Sequence, residues 1–137
     1  MALFSTGQIL TAAQMNSLDT RISAWEQFAQ YHSDLPAVSN VASGWTVNMV
    51  TCYRQYGLCT FAATLTPSAA IAAGNISNIN IFTIPTSYAP HFTTYAFNSD
   101  VVGQFTITGG GQVSLAGLAI AWPAGLAATL RTTYATQ

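Results

Sequence analysis

The stretch that decides the fold class is residues 45–66, which read WTVNMVTCYRQYGLCTFAATLT. Threonine, valine and tyrosine recur in it, and these β-branched and aromatic side chains favour strands. Tyr56-Gly57 interrupts the run near its centre, where a glycine supports the positive φ of a tight turn. The stretch therefore predicts two strands, Trp45–Gln55 and Leu58–Thr66, paired as a hairpin.

Segments rich in β-branched and aromatic residues continue to the carboxyl end, separated by glycine and proline. Together they predict seven or eight strands at a spacing of about 8–12 residues, which is typical of an antiparallel sandwich or barrel. We therefore predict a mainly β chain, an antiparallel, jelly-roll-like β-sandwich preceded by one amino-terminal α-helix. The further strand segments are 76–83, 91–97, 101–108, 112–118 and 126–134.

The most apolar run of the chain extends from Leu115 to Leu130. It is shorter than the roughly 20 residues that a membrane-spanning helix needs. It also contains Gly117, Pro123 and Gly125, which interrupt regular structure. The run therefore predicts a strand, a loop and a second strand, and no contact with a membrane.

The amino end has the pattern of a helix. Residues 11–14 read TAAQ, a capping box in which Thr11 and Gln14 can exchange hydrogen bonds. Leu10 and Met15 have the spacing of a hydrophobic staple around this cap. Asp34 and the Leu35-Pro36 step predict the helix end, because a residue that precedes proline disfavours helical dihedrals. The predicted organisation is therefore an amino-terminal attachment segment and helix, residues 1–36, followed by a β head, residues 37–137.

Apolar residues recur along this helix at steps of three and four. They form a heptad seam over two repeats, which is short for an independent coiled coil. Two interpretations are open: an amphipathic helix packed on its own domain, or a seam shared between identical subunits. The predicted subunit interface consists of Met15, Leu18, Ile22 and Trp25.

Charge is scarce in this sequence. Three arginines and four acidic residues make up 5% of the chain, whereas about 25% is usual for a soluble domain. Three positive charges cannot neutralise a row of phosphates, which argues against nucleic-acid binding. The same shortage argues against a basic membrane-surface face. A surface with so few charges is typical of a subunit whose surface is largely covered by neighbouring subunits.

Few residues are available for catalysis. Asp100 is the one carboxylate in the β region, so no carboxylate pair is evident there for glycoside hydrolysis. His32 falls near the predicted end of the helix and His91 follows Pro90 in a loop, and neither accompanies a nucleophile motif or a metal-ligand pattern. We therefore expect no enzyme activity, no catalytic residues, no metal site and no cofactor.

The two cysteines flank the predicted hairpin turn. A loop of even length centred between Gln55 and Tyr56 would place Cys52 opposite Cys59, near enough for a disulfide after adjustment. The first positive side chain is Arg21, so no basic start of an export signal is visible, and reduced thiols are expected. A disulfide is the alternative.

The order of several short motifs resembles short tail-associated proteins of bacteriophages. The opening Phe4–Asn16 is similar to their small apolar-aromatic start followed by Gly and Leu-Thr-Ala. Trp45 leads a strand, and Tyr53-Arg54 stands before a turn at Gly57. The segment Ile84–Pro90 resembles their Leu-Pro-x-Gly-Tyr-x-Pro loop, with Ser87 in place of the glycine. A glycine turn and a terminal Thr-Tyr pair complete a resemblance that covers nearly the full length.

This resemblance implies a virion component, typically a homotrimer with an amino-terminal attachment helix and a β-sandwich head. The implied role is a tail-associated fibre, tip or adhesion subunit that docks on other phage structural proteins through its amino-terminal segment. A capsid decoration or head-fibre protein is the first alternative. A carbohydrate-binding module is the second, with Tyr88 and Trp122 as candidate surface-binding aromatics and a host-cell surface glycan as the candidate partner.

Overall fold

A computed structural model describes residues 11–29, 32–98 and 103–136. The chain divides into two compact units, Met1–Gln30 and Tyr31–Gln137. The first contains the helix and the second contains the β head. The sequence places this boundary between residues 36 and 37, whereas the structure includes the residues just after Tyr31 in the sheet.

Helix α1 spans Ala12–Ala29 and begins at the predicted capping box. The Thr11 backbone N–H donates to Gln14 Oε1 at 2.9 Å, and the Gln14 N–H donates to Thr11 Oγ1 at 3.3 Å. Leu10, the other half of the predicted staple, lies outside the described residues. The helix ends at Ala29, so the predicted end at Asp34 is wrong.

The β head contains eight strands among the described residues. Their order in the sheet is β1-β2-β3-β8-β5-β6-β7-β4, and every pairing between them is antiparallel. The prediction of a mainly β chain with seven or eight antiparallel strands after one helix is confirmed. The strands are β1 His32–Asp34, β2 Trp45–Gln55, β3 Leu58–Pro67, β4 Gly74–Thr83, β5 Thr94–Asn98, β6 Gly103–Ile107, β7 Gln112–Leu118 and β8 Ala128–Ala135, with a 3-10 turn at Thr86–Tyr88 between β4 and β5.

The sheet curls into two layers, β1-β2-β3-β8 and β5-β6-β7-β4. A flat sheet would separate its edges by about 4.8 Å per strand. Here the segment between β1 and β2 instead reaches β4 at the far edge, where the Ala42 N–H donates to the Ile81 carbonyl at 2.8 Å and the Ser39 N–H donates to the Thr83 carbonyl at 2.9 Å. This closure encloses one hydrophobic core between the layers, as in a β-sandwich.

Strands β3, β5, β6 and β8 bury alternate residues, as the half-buried face of an antiparallel sheet requires. Strand β2 departs from this alternation, because a register shift lies between Val47 and Met49. The extra residue changes the side-chain parity, so that Val47 packs against the core before the shift and Val50 and Cys52 are buried after it. The largest fully buried side chains are Trp122, Phe61, Phe82, Phe105, Leu65 and Ile81.

The hairpin turn uses Tyr56 and Gly57, with φ values of 53° and 72°. Two positive φ values between directly paired strand ends define a type I′ turn. Its centre lies between Tyr56 and Gly57, as the predicted strand ends require, and one residue later than the centre that would place Cys52 opposite Cys59; Cys52 therefore pairs with Phe61 and Cys59 with Arg54.

A disulfide joins Cys52 to Cys59, so the free-thiol prediction is wrong. The two residues are diagonal neighbours on the inner face of the hairpin, and both side chains are fully buried. Their Cα atoms lie 5.9 Å apart, within the ~4.4–6.8 Å usual for disulfides. Because of the later turn centre, Cys52 and Cys59 are diagonal neighbours rather than directly opposite each other, and this arrangement still permits the disulfide.

The run from Leu115 to Leu130 forms the end of β7, a loop and the start of β8, as predicted. None of the described helices combines the length and apolar character that crossing a membrane requires.

The predicted glycine turn between β6 and β7 depends on Gly111. Its φ is +81°, and its carbonyl accepts the Ile84 N–H at 2.9 Å. A Cβ at this position would overlap the Ile84 carbonyl oxygen. We expect Gly111→Ala to lower the free energy of unfolding by about 3 kcal/mol, because the strained φ and the overlap act together.

Gly110→Ala is the matched control for this substitution. Its Cβ would meet Thr108 Oγ1 at an ordinary 3.7 Å, so a change within about 0.5 kcal/mol is expected. Urea denaturation followed by circular dichroism measures both variants. Equal stability of the two alanine variants would contradict this account of the turn.

Candidate functional site

The four predicted interface residues lie on one face of α1, because steps of three and four residues match a period of 3.6. Met15, Ile22 and Trp25 are 53%, 51% and 63% exposed, and Leu18 is half-buried. The helix therefore presents a stripe of apolar side chains that are about half accessible. Their contact with a second chain stays a prediction.

Trp122 is wrong as a candidate surface aromatic, because its side chain is fully buried. Its indole N–H donates to the Leu126 carbonyl at 2.8 Å. Its ring meets those of Trp45 and Phe105 edge to face, with centroids 5.4 and 6.1 Å apart. Trp122 is therefore a central core residue, and its indole N–H has a hydrogen-bond acceptor in the loop before β8.

Tyr88, the other candidate, is half-buried and lies beneath Arg54. The Arg54 guanidinium stands 4.6 Å from the centre of the Tyr88 ring, the geometry of a cation–π contact. Arg54 Nη2 also donates to Asp34 Oδ2 at 2.9 Å. Because Arg54 lies over its ring, Tyr88 is not an open platform for a ligand.

Tyr134 fixes the backbone of the same 3-10 turn from inside the head. Its hydroxyl donates to the Tyr88 carbonyl at 2.8 Å. Burial raises the pKa of the Tyr134 phenol well above its usual range, so the hydroxyl stays protonated and keeps donating.

The outer face of β5 and β8 carries accessible aromatic and hydroxyl side chains. Tyr95 and Phe97, on either side of the buried Ala96, are 53% and 63% exposed. Thr133 Oγ1 lies 3.1 Å from Thr60 Oγ1 on β3. Arg131, which pairs with Phe97, is the charged residue of this group of five. We call this surface the aromatic-threonine face.

A cavity of 210 Å³ opens beside this face, at the seam between the two layers. We call it the seam cavity. Phe92 at its rim is 84% exposed, and the His91 and Phe92 ring centroids are 5.9 Å apart. The residues that line the cavity are Pro90, His91, Phe92, Thr93, Thr94, Thr133, Tyr134 and Ala135.

A second hollow of 250 Å³ lies between β2 and the segment that follows β1. Its lining is apolar apart from one asparagine. It offers neither a titratable side chain nor a cluster of polar groups. The lining residues are Leu35, Pro36, Val38, Val47, Asn48, Met49 and Val50.

Within the described part of the chain, no group of three His, Cys, Asp or Glu side chains could hold a metal ion. His91 lines the seam cavity, and His32 lies in β1 rather than in the helix. Asp100 lies outside the described residues. The expectation of a protein without catalytic, metal or cofactor sites stays a prediction.

Phe92 and Thr133 were not identified as candidate residues from the sequence. A strand that began at His91 would place Phe92 on the buried side together with Ala96. The structure begins β5 at Thr94, so Phe92 belongs to the preceding bend and projects outward. The sequence feature that could have identified Phe92 is its position as an aromatic residue between Pro90 and the first paired residue of β5.

No protein-family model and no curated protein matches the sequence. Among solved structures, the chain is similar to the receptor binding protein (gp15) of Listeria phage PSA. The two share 12% sequence identity with a TM-score of 0.47, and the alignment covers 98% of this chain and 89% of that chain. A similarity at this level does not define the role of this chain.

Proposed function

We propose that this protein is a structural subunit of a bacteriophage virion, associated with the tail as a fibre, tip or adhesion component. The observation that carries the proposal is the division of the chain into a capped helix with an accessible apolar stripe and a β head with very few charges. The motif order along the sequence, which resembles short phage tail-associated proteins, supports the same assignment.

The proposed assembly is a homotrimer in which the helices of three copies meet along Met15, Leu18, Ile22 and Trp25. Exposure of about half of three large apolar side chains favours burial against another helix. Two heptads bury little area, so the β heads are expected to touch as well. The amino-terminal segment then attaches the trimer to other virion proteins, and the heads face outward.

Electron microscopy of purified virions, decorated with a gold-labelled antibody against this protein, tests the assignment. Label at the tail or its tip is the expected result. Label spread over the capsid would instead support a decoration or head-fibre role. Absence of the protein from purified particles, checked by mass spectrometry of the same preparation, would contradict the proposal.

A further inference from the structure

The seam cavity exists because β5 and β8 pair incompletely. Within the described ranges 32–98 and 103–136, the one ladder pair between these strands is Phe97 with Arg131. Farther along, the Thr132 side chain rather than the backbone bridges the gap, donating to the Tyr95 carbonyl at 2.9 Å. The chain returns to β8 where the His91 N–H donates to the Ala135 carbonyl at 3.1 Å.

Backbone hydrogen bonds therefore fix the position of the cavity lining. Pro90 forms an isolated bridge with Thr136, and the Thr136 N–H donates to the Gly57 carbonyl at 3.1 Å. Beneath the lining, the Tyr134 hydroxyl is held by Tyr88. Thr94 and residues 133–135 of the lining lie on β5 and β8, whereas residues 90–93 form a bend that is hydrogen-bonded to the end of β8. A ligand would therefore meet a largely preformed site.

The lining combines an apolar surface with hydrogen-bonding groups. Phe92 provides an aromatic ring at the rim. Single exposed aromatics are ordinary on protein surfaces, but this one borders a cavity that also contains hydroxyls and an imidazole. Thr93, Thr94 and Thr133 each offer a hydroxyl that can donate or accept, and His91 offers ring nitrogens.

This combination matches a sugar ring, which has apolar C–H faces and a rim of hydroxyls. The volume of 210 Å³ is below the ~300–1,000 Å³ of pockets for drug-sized ligands, so one ring fits better than an extended chain. The lining contains no Asp, Glu, Lys or Arg. An anionic ligand would lose hydration there without gaining a lysine or arginine partner.

We propose that the seam cavity binds one residue of a neutral glycan, with the sugar face on Phe92 and its hydroxyls on Thr133, Thr94 and His91. This site deepens the proposed function, on which its biological meaning rests, because a neutral host-surface glycan is a ligand that an adhesion subunit would contact.

Saturation-transfer difference NMR on the full-length chain tests this inference. The probes are glucose, galactose, rhamnose and N-acetylglucosamine at millimolar concentration, with glucuronic acid as an anionic comparator. We expect transfer to the ring C–H protons of at least one neutral probe. We also expect Phe92→Ala to weaken that binding about tenfold, because the stacking surface is removed.

Two matched controls separate the cavity from general surface effects. Phe97→Ala removes an exposed aromatic that does not line the cavity, and binding within twofold of the unmodified chain is expected. Thr133→Val and Thr129→Val each break one cross-strand threonine pair, Thr60–Thr133 or Thr64–Thr129. Only the Thr133 substitution is expected to weaken binding, by about fivefold.

Several outcomes would overturn the inference. They are no saturation transfer to any of the four neutral sugars, stronger transfer to glucuronic acid, and equal loss of binding in Phe92→Ala and Phe97→Ala. A smaller assembly mass for Phe92→Ala would assign the cavity to a subunit contact and also overturn it. A virion component that binds none of the sugars would refute this site while leaving the proposed function intact.

Discussion

Replacing Ile22 with aspartate is expected to convert the assembly into monomers at micromolar concentration. Ile22 is the central residue of the apolar stripe on α1 and is 51% exposed in the single chain. In a trimer the substitution would bring three carboxylates together in a desolvated seam. Each isoleucine would also lose a burial contribution of roughly 0.8–1.5 kcal/mol, because about half of the side chain is already covered in the single chain. Sedimentation velocity on the full-length protein measures the result.

Ser23→Asp is the matched control, since it adds the same charge one residue farther along, about 100° round the helix and outside the apolar stripe. The trimer is expected to persist in this variant. A chain that begins at Tyr31, the first residue of the β-head unit, separates the helix from the β head and keeps β1. An Ile22→Asp protein with the mass of the unmodified assembly would contradict the helix seam. Assembly of the shortened chain would indicate that the heads carry trimerisation and that the helix serves mainly for docking.

Replacing Trp122 with alanine is expected to reduce the free energy of unfolding by about 3–5 kcal/mol. The indole is fully buried and packs edge to face against Trp45 and Phe105. Its removal leaves a large cavity and deprives the Leu126 carbonyl of its donor. Domains of this size are typically stable by about 5–15 kcal/mol, so the variant would lose a major share of its stability.

Trp122→Phe distinguishes the two contributions, because it retains an aromatic ring and removes the indole N–H. A smaller loss of about 1–3 kcal/mol is expected for it. Urea denaturation monitored by circular dichroism compares the two variants with the unmodified chain. A Trp122→Ala protein within 1 kcal/mol of the unmodified chain would be typical of a surface residue and would contradict the described core.

Local signals in the sequence predicted much of this fold. The capping box at Thr11 and the ends of β2 and β7 follow from short-range chemistry, namely side chains that bond neighbouring amides and alternating β-branched residues. The turn at Tyr56-Gly57 was identified by its glycine. The predicted strand ends, Gln55 and Leu58, are those of the structure, and only the direct opposition of the two cysteines assumed a turn centred one residue earlier.

Long-range contacts decide what the sequence could not predict. Strand β1 has only three residues and pairs with β2 residues that follow it by about twenty positions, where Asp34 meets Arg54. Trp122 lies in a loop beside a proline, and its burial depends on Trp45 and Phe105 from distant strands. In both places tertiary packing determines the outcome.

The seam cavity has the same origin. It lies between β5 and β8, whose paired residues Phe97 and Arg131 are far apart in sequence. The incomplete pairing of these strands, rather than a motif, creates the space. Candidate binding residues on such a seam become visible only when the sheet topology is known.

The solution mass of the unmodified full-length chain tests the central claim most directly. Light scattering coupled to size-exclusion chromatography, at micromolar concentration, is expected to give a mass three times that of the 14.5 kDa chain. Such a mass would support a trimeric subunit of the kind proposed for the virion. A mass of one chain under the same conditions would contradict it.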